Sequence, residues 1–137
     1  MDSEKPLTDG EPAIILFAHG SAVEAANQGV RDLAARIQSQ SSYAHVRASF
    51  LGPGQPELGP AVAEAVGAGF HRIVVIPYFL TEGKHLRLDL PRLVAAEKRK
   101  CPELEIQVGR SLEDHPEMAA LVLSRIREIT GGARVSP

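Results

Sequence analysis

The apolar run Ile73-Val-Val-Ile-Pro-Tyr-Phe-Leu80 decides the fold, together with a second run of the same kind, Ala13-Ile-Ile-Leu-Phe-Ala18. Strands that are apolar at every position are typical of a parallel sheet covered by helices on both faces. Two further segments, at about residues 44–51 and 104–108, alternate between apolar and polar side chains. Such alternation is typical of half-exposed strands, so we expect these two at the edges of the sheet. With the strands numbered in chain order, the predicted order across the sheet is 2-1-3-4.

Apolar residues recur at helical spacing after each predicted strand, so strands and helices alternate along the chain. We expect the second helix at about residues 57–68, and the third to begin near Asp89-Leu-Pro91, where a capping side chain precedes a proline tolerated in the first turn. The fourth should begin at Asp114-His-Pro-Glu117, which has capping-box spacing. It is expected to bury Met118, Leu121, Val122, Ile126 and Ile129.

Right-handed crossovers would place the first helix on one face of the sheet and the second and third on the other. The predicted fold class is therefore α/β, a single doubly wound parallel sheet of the flavodoxin type. In such sheets ligands bind at the carboxyl ends of the strands where the order reverses, which here is between the first and third strands.

The overall composition suits one globular domain, because the 137 residues are 44% hydrophobic and 23% charged. We expect this domain to span residues 13–130, between flexible tails at residues 1–12 and 131–137. A net charge of −2 gives no general attraction to nucleic acid, and no apolar run approaches the ~20 residues that cross a membrane. The single cysteine, Cys101, suits a reducing compartment, which makes the cytoplasm the expected location.

Two histidines follow the two central strands. His19 comes directly after the first, and His85 lies in the glycine-containing turn after the third. Since both turns flank the predicted crevice, we expect the two side chains at one mouth. Imidazole binds transition metals and exchanges protons near neutral pH, so the pair predicts a metal-binding or proton-transferring site.

The other three histidines are weaker candidates. His45 is expected to face outward from an edge strand, and His71 precedes the third strand at the opposite end of the sheet. His115 follows the fourth strand, on the same rim as the predicted site, although it equally suits the start of a helix.

The turn His19-Gly-Ser21 allows two other interpretations. Its backbone N–H groups could cradle a phosphate at the start of the first helix. Ser21 could instead be a nucleophile with His85 as its base, but the sequence lacks the Gly-x-Ser-x-Gly elbow that such hydrolases need.

Six segments, in this order, resemble the small CbiX and SirB group of class II tetrapyrrole chelatases. They are Phe17-Ala-His-Gly-Ser21, Ala48-Ser-Phe-Leu51, Pro56-Glu-Leu58, Ile73-Val-Val-Ile-Pro-Tyr-Phe-Leu80, Gly83-Lys-His85 and Asp89-Leu-Pro91. The resemblance extends over about residues 13–129. It implies a lyase that inserts cobalt, iron or nickel into sirohydrochlorin or a related tetrapyrrole, in the synthesis of cobalamin, sirohaem or a related cofactor, without an organic cofactor. By the same resemblance, two copies should pair as a homodimer.

The resemblance also assigns roles to residues of the predicted mouth. His19 and His85 become the metal-binding and proton-accepting pair. The substrate carries many carboxylates, so cations near the mouth should attract it. The candidates for substrate binding are Ser21, Lys84, Arg87 and His115.

One position departs from the resembled group. Many of its members have a glutamate after the Phe-Leu of the second strand, thought to join the histidines at the metal, whereas here Phe50-Leu51 is followed by Gly52-Pro-Gly54. Glu57, Glu82 or a carboxylate of a second subunit could replace it. The alternative is a protein of the same fold that binds metal or tetrapyrrole without catalysing insertion.

Overall fold

A computed structural model describes residues 10–132, apart from the side chain of His85. The predicted tails lie largely outside these described residues. Strands and helices alternate as β1 (Pro12–Ala18), α1 (Glu24–Gln40), β2 (Val46–Phe50), α2 (Leu58–Gly67), β3 (Arg72–Pro77), α3 (Lys84–Lys100), β4 (Glu105–Val108) and α4 (Met118–Thr130).

The four strands form one parallel sheet in the order β2-β1-β3-β4, which confirms the predicted order and fold class. In the centre of the sheet, Leu16 of β1 lies between Ala48 of β2 and Ile76 of β3. Each parallel connection requires a crossover, and the helices provide it.

Successive side chains of β1 point to opposite faces and divide the core in two. Ile15 and Phe17 pack with α2 and α3, whereas Leu16 and Ala18 pack with α1. The helices therefore lie on the predicted faces, and the carboxyl ends of β1 and β3 meet at one edge.

Helix α3 begins earlier than the proline pattern predicted. Its first residue is Lys84, with Gly83 at the N-cap, so Pro91 lies inside the helix. Leu86 and Leu90 are both buried and lie one turn apart on the same face. Burying this pair offsets the hydrogen bond that Pro91 cannot donate.

Strand β2 is more buried than its alternating sequence predicted. His45, expected to face outward, is only 4% exposed, and Ser49 is fully buried. The prediction was wrong because α1 and α2 cover both faces of this edge strand.

Helix α4 departs most from expectation, since none of its residues is buried. Its apolar side chains, including Leu121, Ile126 and Ile129, are exposed. The predicted capping box is also absent: Asp114 has a φ of 62°, and the side chain of His115 accepts the backbone N–H of Glu117 instead.

Among the described residues, no helix combines the length and apolar character needed to cross a membrane.

Candidate functional site

A cavity of about 450 Å³ lies at the carboxyl ends of β1 and β3, where the topology predicted a site. Backbone and side chains of the His19 turn form one wall, and Tyr78, Phe79 and Leu80 form another. Tyr78 and Leu80 are exposed to solvent rather than part of the core. The cavity therefore combines an imidazole with an apolar surface.

His19 is exposed, and its ring rests on a buried aromatic side chain. The ring centroids of His19 and Phe79 are 4.8 Å apart and their planes meet at 85°, an edge-to-face contact. Phe79 in turn packs on Phe17 in the core. No other described residue hydrogen-bonds the ring nitrogens of His19, so they are available to a metal ion or a proton.

The backbone of the His19 turn is held by the loop after β2. Gly52 donates its N–H to the carbonyl oxygen of His19 at 2.8 Å, and Leu51 donates to Ala18 at 2.9 Å. Gly20 has a φ of 89°, and a Cβ there would lie 2.1 Å from the carbonyl oxygen of Pro53. Only glycine permits this contact.

Gly52 itself is under no such constraint. Among the described residues, a Cβ at this position would have one neighbour within 4 Å, the carbonyl oxygen of His19 at 3.4 Å. Gly52 supplies a backbone hydrogen bond to the His19 turn and, having no side chain, no ligand.

Asn27 of α1 completes the support of the turn, and sequence analysis missed it. Its side-chain Oδ1 accepts the N–H of Ser21 at 2.8 Å, and its Nδ2 donates to the carbonyl oxygen of Ser21 at 2.9 Å. The signal was available only as a polar residue among apolar ones on the inner side of a helix. Such a residue is usually exposed, and only the fold shows that this one is buried.

His85 is the second residue of α3, so its backbone lies at the same edge of the sheet as His19. Thr81 and Gly83, from the loop that leads to it, line the His19 cavity. The sequence had placed His85 in a turn, whereas the helix begins one residue before it. The topology thus brings the two histidine positions to adjacent strand ends.

The other predicted site residues surround this edge. Ser21 lines the cavity, and its hydroxyl oxygen accepts the N–H of Val23. Lys84 and Arg87 are exposed in the first turn of α3, with Arg87 Nε 3.8 Å from a carboxylate oxygen of Glu82. His115 is exposed, and its ring is engaged at the start of α4.

Neither Glu57 nor Glu82, the two carboxylates that sequence analysis offered as ligands, lines the His19 cavity. Glu82 lies in a separate polar pocket with Arg110 and Glu113, and Glu113 accepts its backbone N–H at 2.9 Å. Glu57 is exposed at the N-cap of α2. Among the described side chains, no three His, Cys, Asp or Glu residues are grouped so that they could hold a metal ion.

The side chains at this edge can bind both a metal ion and an organic ligand. A neutral imidazole is a good ligand for a divalent first-row metal and leaves other coordination positions open. The apolar wall offers a surface to a flat organic ligand, and the exposed cations of α3 would attract an anionic one.

Comparisons with known proteins agree with this geometry. A sirohydrochlorin cobaltochelatase of Methanosarcina barkeri is 33% identical over 122 residues, which cover 84% of this chain and 94% of the relative. The crystal structure of a cobalamin biosynthesis CbiX protein from Marinobacter aquaeolei has the same fold, with a TM-score of 0.75 at 24% identity over 87% of this chain and 97% of that one.

A longer protein also matches. The sirohydrochlorin chelatase SirB of Bacillus subtilis subspecies spizizenii, solved in complex with cobalt, has a TM-score of 0.80 and 25% identity over 87% of this chain. The match covers only 51% of the SirB chain. The CbiX family model matches residues 13–129, which is most of the chain and nearly all of the described fold. This chain belongs to the CbiX family.

Proposed function

We propose that this protein is a sirohydrochlorin chelatase that inserts cobalt or iron, and by resemblance nickel, into the macrocycle. The observation that carries the proposal is the exposed ring of His19, which stands at the carboxyl end of β1 beside the strand that leads to His85. The cobaltochelatase of Methanosarcina barkeri, similar over 94% of its own length, supports the same activity here.

Insertion exchanges one divalent ion for two pyrrole N–H protons, so it needs a metal ligand and a proton acceptor but no organic cofactor. His19 and His85 provide two imidazoles, each able to fill either role near neutral pH. The metal is the substrate and must leave, which a site with few protein ligands permits.

The macrocycle should lie against the apolar wall of the cavity. Tyr78 and Leu80 are exposed there, and Val30 of α1 lines the same space. Lys84 and Arg87, exposed at the start of α3, attract the substrate carboxylates, and Ser21 and His115 are further candidates at the rim. The free Cys101 suits a reducing compartment, and we place the reaction in the cytoplasm.

We further propose that two copies pair as a homodimer. Helix α4 exposes apolar side chains along its length, and an isolated helix of 13 residues gains little stability without a packing partner. The match to only 51% of the SirB chain supports a working unit of two lobes. The substitution Ile126→Glu should convert a dimer to a monomer in light scattering, and a wild type that is already monomeric would contradict this.

Spectroscopy of the macrocycle tests the activity. Sirohydrochlorin is mixed with cobalt and enzyme, and its absorption spectrum is followed against a protein-free control. We expect the wild type to accelerate insertion and His19→Ala or His85→Ala to reduce the rate at least about 10-fold, the lower range for losing a positioned proton-transfer or metal group. The matched control is His71→Ala, an exposed histidine outside the site.

The alternative function, binding without insertion, is favoured by the glycine at position 52. It predicts that the wild type binds cobalt or sirohydrochlorin and gives no rate above the protein-free control. That result would replace the enzymatic proposal with a carrier function.

A further inference from the structure

We propose that Asn27 is a positioning residue that holds the His19 turn in its metal-binding conformation. This inference rests on the proposed function of His19 as a metal ligand. It is carried by a buried amide that connects α1 to the His19 turn and to the loop after β2.

Asn27 is 2% exposed, and its side chain forms hydrogen bonds with both backbone polar groups of Ser21. Its Oδ1 accepts the Ser21 N–H at 2.8 Å and its Nδ2 donates to the Ser21 carbonyl at 2.9 Å. These two bonds fix the peptide planes on either side of Ser21, two residues after His19. A rotation of the turn would break both and leave buried polar groups without partners.

The amide belongs to a polar row along α1, formed by Glu24, Asn27 and Arg31 on one side of the helix. Asn27 Nδ2 also approaches Glu24 Oε1 at 3.2 Å, and Arg31 pairs with the other oxygen of Glu24. Hydrogen bonds from Arg31 and Asn27 hold the pKa of Glu24 below its usual value. The carboxylate of Glu24 therefore interacts with both of the other residues of the row.

The same row holds the loop after β2. Arg31 donates two N–H groups to the carbonyl oxygen of Gln55, at 3.1 and 2.8 Å, and its guanidinium lies 5.3 Å from the ring centroid of Phe50. A Cβ on Gly54 would lie 2.9 Å from Asn27 Nδ2, so this loop packs directly on the amide. Asn27 thus sits between the two loops that meet at Gly20.

The consequence is a ligand whose backbone is held by hydrogen bonds at His19 and at Ser21. With the turn fixed and the ring resting on Phe79, His19 keeps little freedom beyond its own side-chain torsions. A site in which position 52 supplies no carboxylate depends more heavily on each remaining ligand. Removing groups that orient a metal ligand typically lowers metal affinity by about 10- to 100-fold.

The test compares Asn27→Ala with Gln38→Ala. Gln38 is a matched control because its side-chain oxygen accepts the backbone N–H of Val46 at 2.9 Å, at the opposite end of the same helix. Calorimetric titration with cobalt alone measures metal affinity, and thermal unfolding measures stability. We expect both variants to lose stability, but only Asn27→Ala to bind cobalt about 10-fold more weakly.

Hydrogen exchange supplies a readout that a merely stabilising role would not produce. In Asn27→Ala the amide of Ser21 should lose more protection than the amides of β3, whose exchange follows the global stability of the protein. Asn27→Asp keeps the acceptor for the Ser21 N–H and loses the donor to the Ser21 carbonyl, so its cobalt affinity should lie between those of wild type and Asn27→Ala.

Each outcome separates the two proposals. Equal cobalt affinity in wild type and a folded Asn27→Ala overturns the positioning role and leaves the proposed function intact. A wild type that binds no cobalt overturns both. If neither Asn27→Ala nor Asn27→Asp folds, Asn27 is a folding determinant and the positioning role is rejected.

Discussion

The two edge strands have similar sequence patterns and opposite surroundings. Along β2 every residue except Arg47 is buried, whereas along β4 only Ile106 is even half-buried. Helices α1 and α2 cover β2 on both faces, while β4 has α3 on one face and α4 is not packed against the sheet. Alternation therefore marks a strand as an edge without saying how completely its neighbours cover it.

The tightest contact on the β2 side gives the largest expected effect. Gly20→Ala would place a Cβ 2.1 Å from the carbonyl oxygen of Pro53 at a φ of 89°, so the two loops must separate. We expect the free energy of unfolding to fall by about 3 kcal/mol, the upper range for a strained backbone position. Denaturant titration measures it.

The control for this substitution is Gly29→Ala, in the middle of α1, where a Cβ would meet no atom within 4 Å. It should stabilise the protein by about 0.5–1 kcal/mol, because alanine favours the helix. Equal effects of the two substitutions would show that the loops beside β2 are not in close contact.

A matched pair of valines tests the two edges directly. Val46 of β2 is 1% exposed and Val108 of β4 is 44% exposed. Val46→Ala should lower the free energy of unfolding by about 2 kcal/mol, since it removes two buried methyl groups and leaves a cavity. For Val108→Ala we expect about 0.5 kcal/mol or less, as for an ordinary surface change.

This comparison is sharpened by measuring Val108→Ala at several protein concentrations. If a second copy covers β4, the effect of the substitution should vary with concentration. Equal losses for the two valines at low concentration would contradict the asymmetry between the edges.

His45, also on the β2 side, predicts a dependence on pH. Burial, and then the charge of Arg47, holds the pKa of His45 below its usual 6.5. Below about pH 6.5 the unfolded chain binds a proton that the folded chain excludes, so stability falls with decreasing pH. The loss from this group is at most about 1.4 kcal/mol per pH unit and vanishes above pH 6.5.

The measurement is denaturant unfolding between pH 7.5 and 5.5, in wild type and His45→Leu. The substitution removes the titrating group from its place beside Phe70, and the acid-side slope should decrease. An unchanged slope would mean that another group controls the response.

The strand order and the location of the crevice were predictable from sequence, because they depend on which strands are apolar at every position. The continuously apolar β1 and β3 indicated the centre of the sheet, and that order placed His19 at the crevice where the structure has a cavity. The resemblance to CbiX and SirB proteins then suggested a chemistry for this crevice. The strand order could be inferred from the side chains within each strand. The position of His19 then followed from that order.

The remaining features depend on tertiary contacts that no local pattern records. His45 is buried where it packs on Phe70, from the loop between α2 and β3, and Asn27 is buried where the His19 turn and the loop after β2 meet it. The apolar residues of α4 have normal helical spacing. That spacing is the same whether the helix packs on its own sheet or on another molecule. The early start of α3 reflects packing of Leu86 and Leu90 that outweighs a local proline signal.

The open position at Gly52 offers a route to redesign. Its backbone does not have the positive φ that favours glycine, and within the described part of the chain an added Cβ would meet only the carbonyl oxygen of His19, at 3.4 Å. A Cβ there would make an ordinary van der Waals contact with the His19 backbone, so it would not displace the loop. A single substitution, Gly52→Glu, should therefore add a carboxylate next to the His19 turn while the loop after β2 keeps its backbone hydrogen bonds to that turn.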